Sequence, residues 1–404
     1  MRYITPFLLF TCFLVPAFSQ SPLTWNKKTY APTGTSVERA DFNGDGFSDL
    51  LIYGGSTTSV ILNNGNGTFD ATHVFTTGPL QTVAFLDFNR DGKMDVAGCD
   101  RNGDLDILLG NGNGSLTLAQ AISDSCSWVA TADFNRDKNP DIAVGVPSQA
   151  ADRSGNQVIV YLGDGRGQIA SQVVNGHVDL PGVQGVTCIL NGSAQAADFN
   201  NDSFADIAIT ASCLEVDLPD SALIVGKGDG TGHFVFNRNT DFNYAPGKHL
   251  RMGGINSFVA DGRRDLYEVS DYHLSNGNNG SVLGVFINQG NGTFGFGEKI
   301  GPGNNNVTIT AATVADIDSD GIKDIVAIYK TTTDSGDSFE ILFLKGLLNG
   351  DYNLTRSPLA TAVNDMTWGD FDKNGTPDLV MLRPASTDVW RNTTAKADIC
   401  PNSV

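Results

Sequence analysis

The sequence predicts an all-β fold built from repeated units of four antiparallel strands. Short apolar runs bounded by glycine and asparagine recur along the 404 residues, without a long helical pattern. A nine-residue pattern of carboxylates and amides also recurs. Its six clear copies begin at Asp41, Asp87, Asp133, Asp198, Asp316 and Asp370. The interval between successive start positions, such as from Asp41 to Asp87, is the length of one repeat. Repeats of this length are typical of a β-propeller, in which each repeat forms one blade.

The long interval between the fourth and fifth of these copies contains a degenerate repeat. It runs from Ser257 to Asp265 and keeps the acidic residues of positions 5 and 9, while Ser257 and Val259 stand at positions 1 and 3. Counting this copy, we expect seven repeats and therefore a seven-bladed propeller.

Each repeat has the same order of predicted strands. An apolar run leads into the nine-residue pattern, a buried run such as residues 141–144 follows it, and a third run such as residues 59–62 ends in a Gly/Asn turn. These turns need residues that tolerate positive φ, as glycine and asparagine do. A fourth strand then leads into the next repeat.

The two ends of the chain predict how the ring closes. The last repeat has strands near residues 378–381 and 388–390 but no room for a fourth, whereas residues 25–30 form a strand that precedes the first repeat. We expect this N-terminal strand to complete the last blade and to cover the edge that an open array exposes.

The first 19 residues are predicted to be a secretory signal peptide. Arg2 supplies the positive charge, an apolar run extends from Ile4 to Phe18, and Ala17 and Ser19 provide a small-x-small cleavage site. We therefore assign residues 20–397 to a single propeller and 398–404 to a tail. The expected location is extracellular or periplasmic, with no membrane span after signal removal.

The nine-residue patterns have the ligand spacing of a calcium loop. Asp or Asn stands at positions 1, 3 and 5, Asp stands at position 9, and a backbone carbonyl is available at position 7, which suits a hard cation. The flanking runs are strands, which argues against an EF-hand. We expect about six structural Ca²⁺ ions. The expected ligands are Asp41, Asn43, Asp45, Phe47 and Asp49; Asp87, Asn89, Asp91, Lys93 and Asp95; Asp133, Asn135, Asp137, Asn139 and Asp141; Asp198, Asn200, Asp202, Phe204 and Asp206; Asp316, Asp318, Asp320, Ile322 and Asp324; and Asp370, Asp372, Asn374, Thr376 and Asp378.

The loops are expected to differ in affinity. The degenerate copy at Ser257 lacks two ligands, so we expect no calcium there. Glycine occupies position 6 in four loops, where a left-handed backbone is needed, but Lys138 and Ser203 occupy it in the third and fourth. Weaker binding is expected in those two loops.

Residues 40–46, Ala-Asp-Phe-Asn-Gly-Asp-Gly, followed by Asp49 and Leu50, resemble the FG-GAP repeat, also called the VCBS repeat. That family occurs in the propellers of integrin α chains, in fungal and bacterial lectins and in many secreted bacterial proteins. The resemblance covers nearly all of the mature chain. It implies calcium in the loop between the first and second strands of a blade. Because the family has adhesive, sugar-binding and enzymatic members, the resemblance implies a fold and leaves the activity open.

Long irregular loops in the third to fifth blades are predicted on the face opposite the calcium loops. Such loops on a rigid scaffold commonly carry recognition, although drift of tolerated insertions is the alternative explanation. The candidate ligand contacts are Arg153, His177, Tyr244, Lys248, His249, Arg251, Tyr272 and His273.

Export permits disulfides among the five cysteines of the mature chain. Their positions relative to the strands favour Cys99–Cys126 and Cys188–Cys213, although four cysteines allow three pairings. Cys400 is left unpaired.

Composition and motifs limit the function. A net charge of −19 disfavours a nucleic-acid partner, and the five histidines form no recognised catalytic motif. We expect a monomeric, non-catalytic binding or adhesion module for an extracellular glycan or a cell-surface protein. An extracellular polysaccharide-active enzyme, such as a lyase, is the alternative, and a scaffold without a small ligand is a third possibility.

Overall fold

The computed structural model describes residues 23–147, 156–175, 187–190, 192–214, 219–241, 250–252, 262–273, 279–300, 306–346 and 352–393. Within these ranges all the regular elements are β-strands, which confirms the all-β class. The strands are β1 (Trp25–Tyr30), β2 (Ser36–Ala40), β3 (Asp49–Tyr53), β4 (Thr58–Asn63), β5 (Phe69–Thr77), β6 (Leu80–Leu86), β7 (Asp95–Asp100), β8 (Asp104–Gly110), β9 (Leu116–Ser123), β10 (Trp128–Ala132), β11 (Asp141–Val146), β12 (Gln157–Gly163), β13 (Ile169–Asn175), β14 (Thr187–Ile189), β15 (Ala194–Ala197), β16 (Asp206–Leu214), β17 (Pro219–Gly228), β18 (Phe234–Asp241), β19 (Leu250–Met252), β20 (Leu266–His273), β21 (Asn279–Asn288), β22 (Phe294–Ile300), β23 (Val307–Ala315), β24 (Asp324–Thr333), β25 (Gly336–Gly346), β26 (Tyr352–Leu359), β27 (Asp365–Gly369), β28 (Asp378–Arg383) and β29 (Ser386–Asn392).

The strands form antiparallel sheets in chain order. Strands β2–β5, β6–β9 and β10–β13 each make a four-stranded sheet, and β14 and β15 share the inner edge of the sheet that continues with β16, β17 and β18. Strands β19–β22 and β23–β26 are two antiparallel halves of one larger sheet, and a single parallel bridge between Gly280 and Val307 joins them. These sheets agree with the repeat pattern in the sequence.

Strand β1 is paired with the last strand of the chain. It runs antiparallel to β29, with Trp25 opposite Asn392 and Tyr30 opposite Thr387, and the resulting sheet has the order β1-β29-β28-β27. The Tyr30 hydroxyl also accepts a hydrogen bond of 2.8 Å from the Phe69 amide in the first sheet. The N-terminal strand therefore completes the last sheet and contacts the first.

The hydrophobic core lies between neighbouring sheets. Strands such as β3 are buried on both faces, which explains their continuous apolar sequence. Leu51 packs with Val96 of the second sheet, whereas its neighbour Leu50 packs with Val380 of the last sheet. Alternate side chains of one strand thus fill two different inter-sheet cores.

Cys99 and Cys126 form a disulfide, with their Cα atoms 5.7 Å apart. This is the pair that the sequence predicts. Cys188 and Cys213 face each other as Cα partners on β14 and β16. Cys400, the predicted signal peptide 1–19 and the predicted tail 398–404 lie outside the described residues. Among the residues that are described, no helix is long and apolar enough to cross a membrane.

Candidate metal centres

The aspartate at position 9 of each loop is buried and clamps the ends of three strands. One carboxylate oxygen of Asp49 accepts a hydrogen bond from the Phe42 amide at 2.8 Å, and the other accepts one from the Asn63 amide at 2.8 Å. The same two bonds recur in the other five clear loops. The bond donated by the backbone amide of position 2 measures 2.7 to 3.0 Å. The bond donated by a backbone amide at the end of the third strand measures 2.7 to 2.9 Å.

This clamp accounts for an aspartate that the sequence pattern assigned to metal binding alone. In the degenerate fifth loop, Asp265 is fully buried and accepts the Asn288 amide at 2.8 Å, although positions 1 and 3 of that loop carry no carboxylate. In that loop this aspartate therefore has a structural contact that does not depend on a complete set of metal ligands. Sequence reasoning missed this second role because the strand that supplies the other amide lies 14 to 23 residues further along the chain.

The side chains at positions 1, 3 and 5 accept hydrogen bonds from backbone amides of their own loop. In the first loop, Asp41 accepts the amides of Gly44 and Gly46 at 2.7 and 2.8 Å, Asn43 accepts the Asp45 amide at 3.0 Å, and Asp45 accepts that of Phe47 at 2.8 Å. These Asx-type turns gather the polar side chains on one short loop.

Both positions 4 and 6 of the loops have a left-handed backbone. At position 6, φ lies between 70° and 90° in all six clear loops, including Lys138 and Ser203. At position 4, φ lies between 53° and 75°, and five of these residues are not glycine: Arg90, Arg136, Asn201, Ser319 and Lys373. The third and fourth loops thus carry non-glycine residues in this region at both positions, which is a strained arrangement.

The sixth and seventh loops bring three carboxylates together. Asp316, Asp318 and Asp324 each place an oxygen within 4.8 Å of the others, and Asp370, Asp372 and Asp378 do the same. In these two loops position 3 is Asp, whereas the other four have Asn. These clusters can hold a metal ion.

An unpaired oxygen in the sixth loop fits a cation. Asp318 Oδ1 is buried and has no hydrogen-bond partner among the described residues, and Asp133 Oδ1 of the third loop is in the same situation. A buried carboxylate oxygen without a partner is costly, and a bound cation would satisfy it. The donor set, which consists only of oxygen atoms, suits calcium or magnesium more than a transition metal.

Lys345 lies against the sixth cluster, which the sequence pattern did not indicate. Its ammonium group forms an ion pair with Asp318 and a second one with Asp320 at 3.0 Å. Burial lowers the pKa of Lys345, but the contacts with the two carboxylates outweigh it and raise the pKa overall. The ammonium group of Lys345 would therefore compete with a bound cation for the carboxylate oxygens of this loop.

Burial raises the pKa of several loop carboxylates. The pKa of Asp49 and of Asp141 is raised to about 6, and that of Asp324 and of Asp378 to about 7. Burial is the main cause; neighbouring carboxylates of the same loop also raise these pKa values, and the backbone hydrogen bonds oppose both. A bound cation would favour the ionised forms.

The loops also connect neighbouring sheets. The amide of Gly114, in the third-to-fourth-strand turn of the second sheet, donates to the carbonyl of Phe42 in the first loop at 3.2 Å. The same contact joins Gly232 to Phe134 and Gly292 to Phe199. A cation that orders the loops would therefore stabilise contacts between sheets as well as within them.

The predicted ligand face is largely outside the described residues. Arg153, His177, Tyr244, Lys248 and His249 fall in the undescribed segments. The backbones of three further candidates are described: Arg251 lies on β19, and Tyr272 and His273 lie on β20.

Comparisons with known proteins agree with the repeat pattern. The sequence profile of the FG-GAP-like repeat matches residues 41–98, 87–144 and 258–327. No curated protein matches the sequence. Among solved structures, that of BBS1N in complex with ARL6DN, soaked with lead, is similar with a TM-score of 0.55 and 9% sequence identity, covering 92% of this chain and 98% of that chain. At this identity the likeness concerns the fold alone.

The unmatched repeats share the geometry of the matched ones. The loops that begin at Asp198 and Asp370 lie outside the matched residues, yet each has the same aspartate clamp and the same left-handed position 6. The chain therefore contains FG-GAP-like repeats and has an all-β, propeller-like fold.

Proposed function

We propose that this protein is a secreted, calcium-stabilised propeller that acts as a non-catalytic binding or adhesion module for an extracellular glycan or a cell-surface protein. The observation that carries the calcium part is the clustering of three carboxylates within 4.8 Å in each of the sixth and seventh loops. The FG-GAP repeat propeller is a general scaffold for binding and adhesion, which supports the second part.

The ions have a structural role in this proposal. Several protein oxygens per loop leave little open coordination for a substrate, and the loops lie next to inter-sheet hydrogen bonds. The proposed binding surface is the opposite face, to which the sequence pattern assigns the long loops of the third to fifth blades. The N-terminal signal supports secretion, and an acidic surface suits a partner other than nucleic acid.

Metal analysis tests the calcium part. The mature protein, dialysed against buffer with micromolar calcium, is expected to retain about six Ca²⁺ per chain and to melt at a lower temperature after treatment with EDTA. Asp318→Asn is expected to remove one ion, and Asp337→Asn, an exposed carboxylate outside the loops, serves as the matched control. An unchanged melting temperature together with no bound metal would refute this part.

A glycan array tests the binding part. A specific signal that Lys248→Ala or Arg251→Ala abolishes would support recognition by the long-loop face. Degradation of a polysaccharide by the pure protein would instead favour the lyase alternative, while a blank array with folded protein would direct the search to protein partners on cell surfaces.

A further inference from the structure

A cavity of about 670 Å³ lies where the innermost strands of the sheets meet. Residues of β2, β6, β10, β15, β20, β23 and β27 line it, so every sheet contributes to the wall. Its volume falls in the range of roughly 300–1,000 Å³ that is usual for small-molecule sites. The metal loops lie at the ends of these strands, outside the lining.

Glu38 is an acidic group in this cavity without an internal hydrogen bond. Its side chain is accessible from the cavity, and among the described residues no donor pairs with its carboxylate. The second carboxylate in the lining, Asp365, differs because it accepts the Val37 and Met366 amides at 3.0 and 2.9 Å. Burial, helped by the nearby Asp365, raises the pKa of Glu38 to about 7, and Arg39 opposes this shift.

Two donor groups in the lining also lack acceptors. The Arg39 guanidinium lies over the Trp368 ring, 4.6 Å from its centroid, but none of its N–H groups forms a hydrogen bond with a described residue. The Gln195 side-chain amide, on β15, is likewise without a hydrogen bond in the described part of the chain. Polar groups inside a protein are costly unless water or a ligand satisfies them.

The chemistry of the lining selects among ligands. Two carboxylates and one guanidinium disfavour an anion. The wall combines serine, threonine and glutamine side chains with apolar and aromatic ones such as Val129, Tyr267 and Trp368, which suits a molecule that has both polar and apolar faces. A hydroxyl group both donates and accepts, so neighbouring hydroxyls can pair with a carboxylate, a guanidinium and an amide together. A sugar ring offers such groups at a size that the cavity can contain.

We propose that this axial cavity is a binding site for a neutral mono- or disaccharide, held by hydrogen bonds to Glu38, Arg39 and Gln195. The proposal is independent of the calcium ions and of the predicted long-loop surface, because none of these three residues belongs to either. It places a small-molecule site on the propeller axis, where all the sheets meet.

Saturation-transfer NMR and calorimetry test this site on the whole mature protein in the presence of calcium. The probes are neutral hexoses and their disaccharides, with the corresponding uronic acids as anionic counterparts. Neutral sugars are expected to bind and uronic acids to bind at least about tenfold more weakly. Gln195→Ala removes a hydrogen-bonding group and Glu38→Gln replaces a carboxylate by a weaker acceptor, so each is expected to weaken binding by about tenfold.

The control is Glu340→Gln, which removes an exposed carboxylate outside the cavity that pairs with Arg356 at 3.8 Å. Glu38→Gln keeps the side-chain volume and removes a charge that burial disfavours, so this variant is expected to fold. Absence of binding by every neutral sugar would overturn the proposal, as would binding that neither cavity variant weakens. Binding that is lost in Lys248→Ala or Arg251→Ala and retained in Glu38→Gln would place the sugar on the long-loop face, which overturns this site and leaves the proposed function intact.

Discussion

The backbone amide of Gly67 donates a hydrogen bond to the carbonyl oxygen of Phe371 over 3.2 Å, although 304 residues separate the two in the chain. Gly67 lies in the third-to-fourth-strand turn of the first sheet, and Phe371 is position 2 of the last metal loop. The Asn63 side-chain amide donates to the same carbonyl at 2.8 Å, and the Phe69 ring packs edge-on against Phe371 with centroids 5.4 Å apart. The first and last sheets are therefore joined by the same contact as sheets that are adjacent in sequence.

Removing the Asn63 side chain is expected to weaken this junction. Asn63→Ala loses the bonds to the carbonyls of Phe371 and Ser48, so that the Phe371 carbonyl keeps only the Gly67 amide, and should lower the free energy of unfolding by about 1–3 kcal/mol. Urea denaturation at saturating calcium measures the change. Asn64→Ala, which removes an exposed bond to Thr68, is the neighbouring control and should change stability by less than about 1 kcal/mol. Equal losses in the two variants would contradict this account of the junction.

The two roles of the loop aspartates predict different responses to calcium. Asp265→Asn alters only the strand clamp, so it should lower the melting temperature by the same amount with calcium and with EDTA. Asp318→Asn alters a cluster that can hold a cation, so its effect should depend on calcium. Melting curves of both variants under both conditions make the comparison. A calcium-dependent effect of Asp265→Asn would show that the degenerate loop binds metal after all.

Lys345 is expected to reduce the cation affinity of the sixth loop. Lys345→Met removes the ammonium group that pairs with Asp318 and Asp320, so calcium should bind this loop roughly fivefold more tightly, which corresponds to an ion pair of ~1 kcal/mol. The metal-free variant should be less stable than the wild type, because the carboxylates of Asp318 and Asp320 lose their counter-charge. Calcium titration by calorimetry measures the affinity.

Lys330→Met is the control for that experiment, since Lys330 pairs with Asp337 at 2.8 Å outside the loops. If Lys345→Met binds calcium with the affinity of the wild type, the ion pairs of Lys345 do not oppose calcium binding, and the prediction is wrong.

Glu38 is expected to contribute to the pH dependence of stability. Its pKa in the folded protein is about 7, above the ordinary value of 4.5, so the folded state binds this proton more tightly than the unfolded state. Stability should therefore fall as pH rises from about 4.5 to 7 and stay lower above that range. The carboxylate and guanidinium that act on it are Asp365 and Arg39.

Thermal unfolding of Glu38→Gln measures this effect against the wild type at each pH. The variant should gain melting temperature relative to the wild type as pH increases from 5 to 8, because a neutral amide has no charge to bury. Glu340→Gln should show a constant difference over the same range. A Glu38→Gln difference that does not change with pH would contradict the assigned pKa.

Much of the candidate metal site could be predicted from the sequence because its members are neighbours in the chain. Asp41, Asn43 and Asp45 lie within five residues of one another, and the turn that gathers them follows from Asx chemistry and the glycine at position 6. The pairing of Trp25–Tyr30 with the last sheet was also predictable, since the last repeat lacked one strand. Lys345 and the Asn63 contact could not be found in this way, because each joins segments that the repeat pattern does not relate.

The strands, the turns and the order of the repeats could be predicted from the amino-acid sequence, since these depend on alternation and turn chemistry over a few residues. Three relationships are seen in the folded protein alone: the position-9 aspartates clamp strand ends, Lys345 approaches the sixth loop, and Glu38, Arg39 and Gln195 line one cavity. The first two relationships arise when strands that are distant in the chain pair within one sheet, and the third arises when separate sheets pack around a common cavity. In each case the distances depend on contacts that local sequence does not encode.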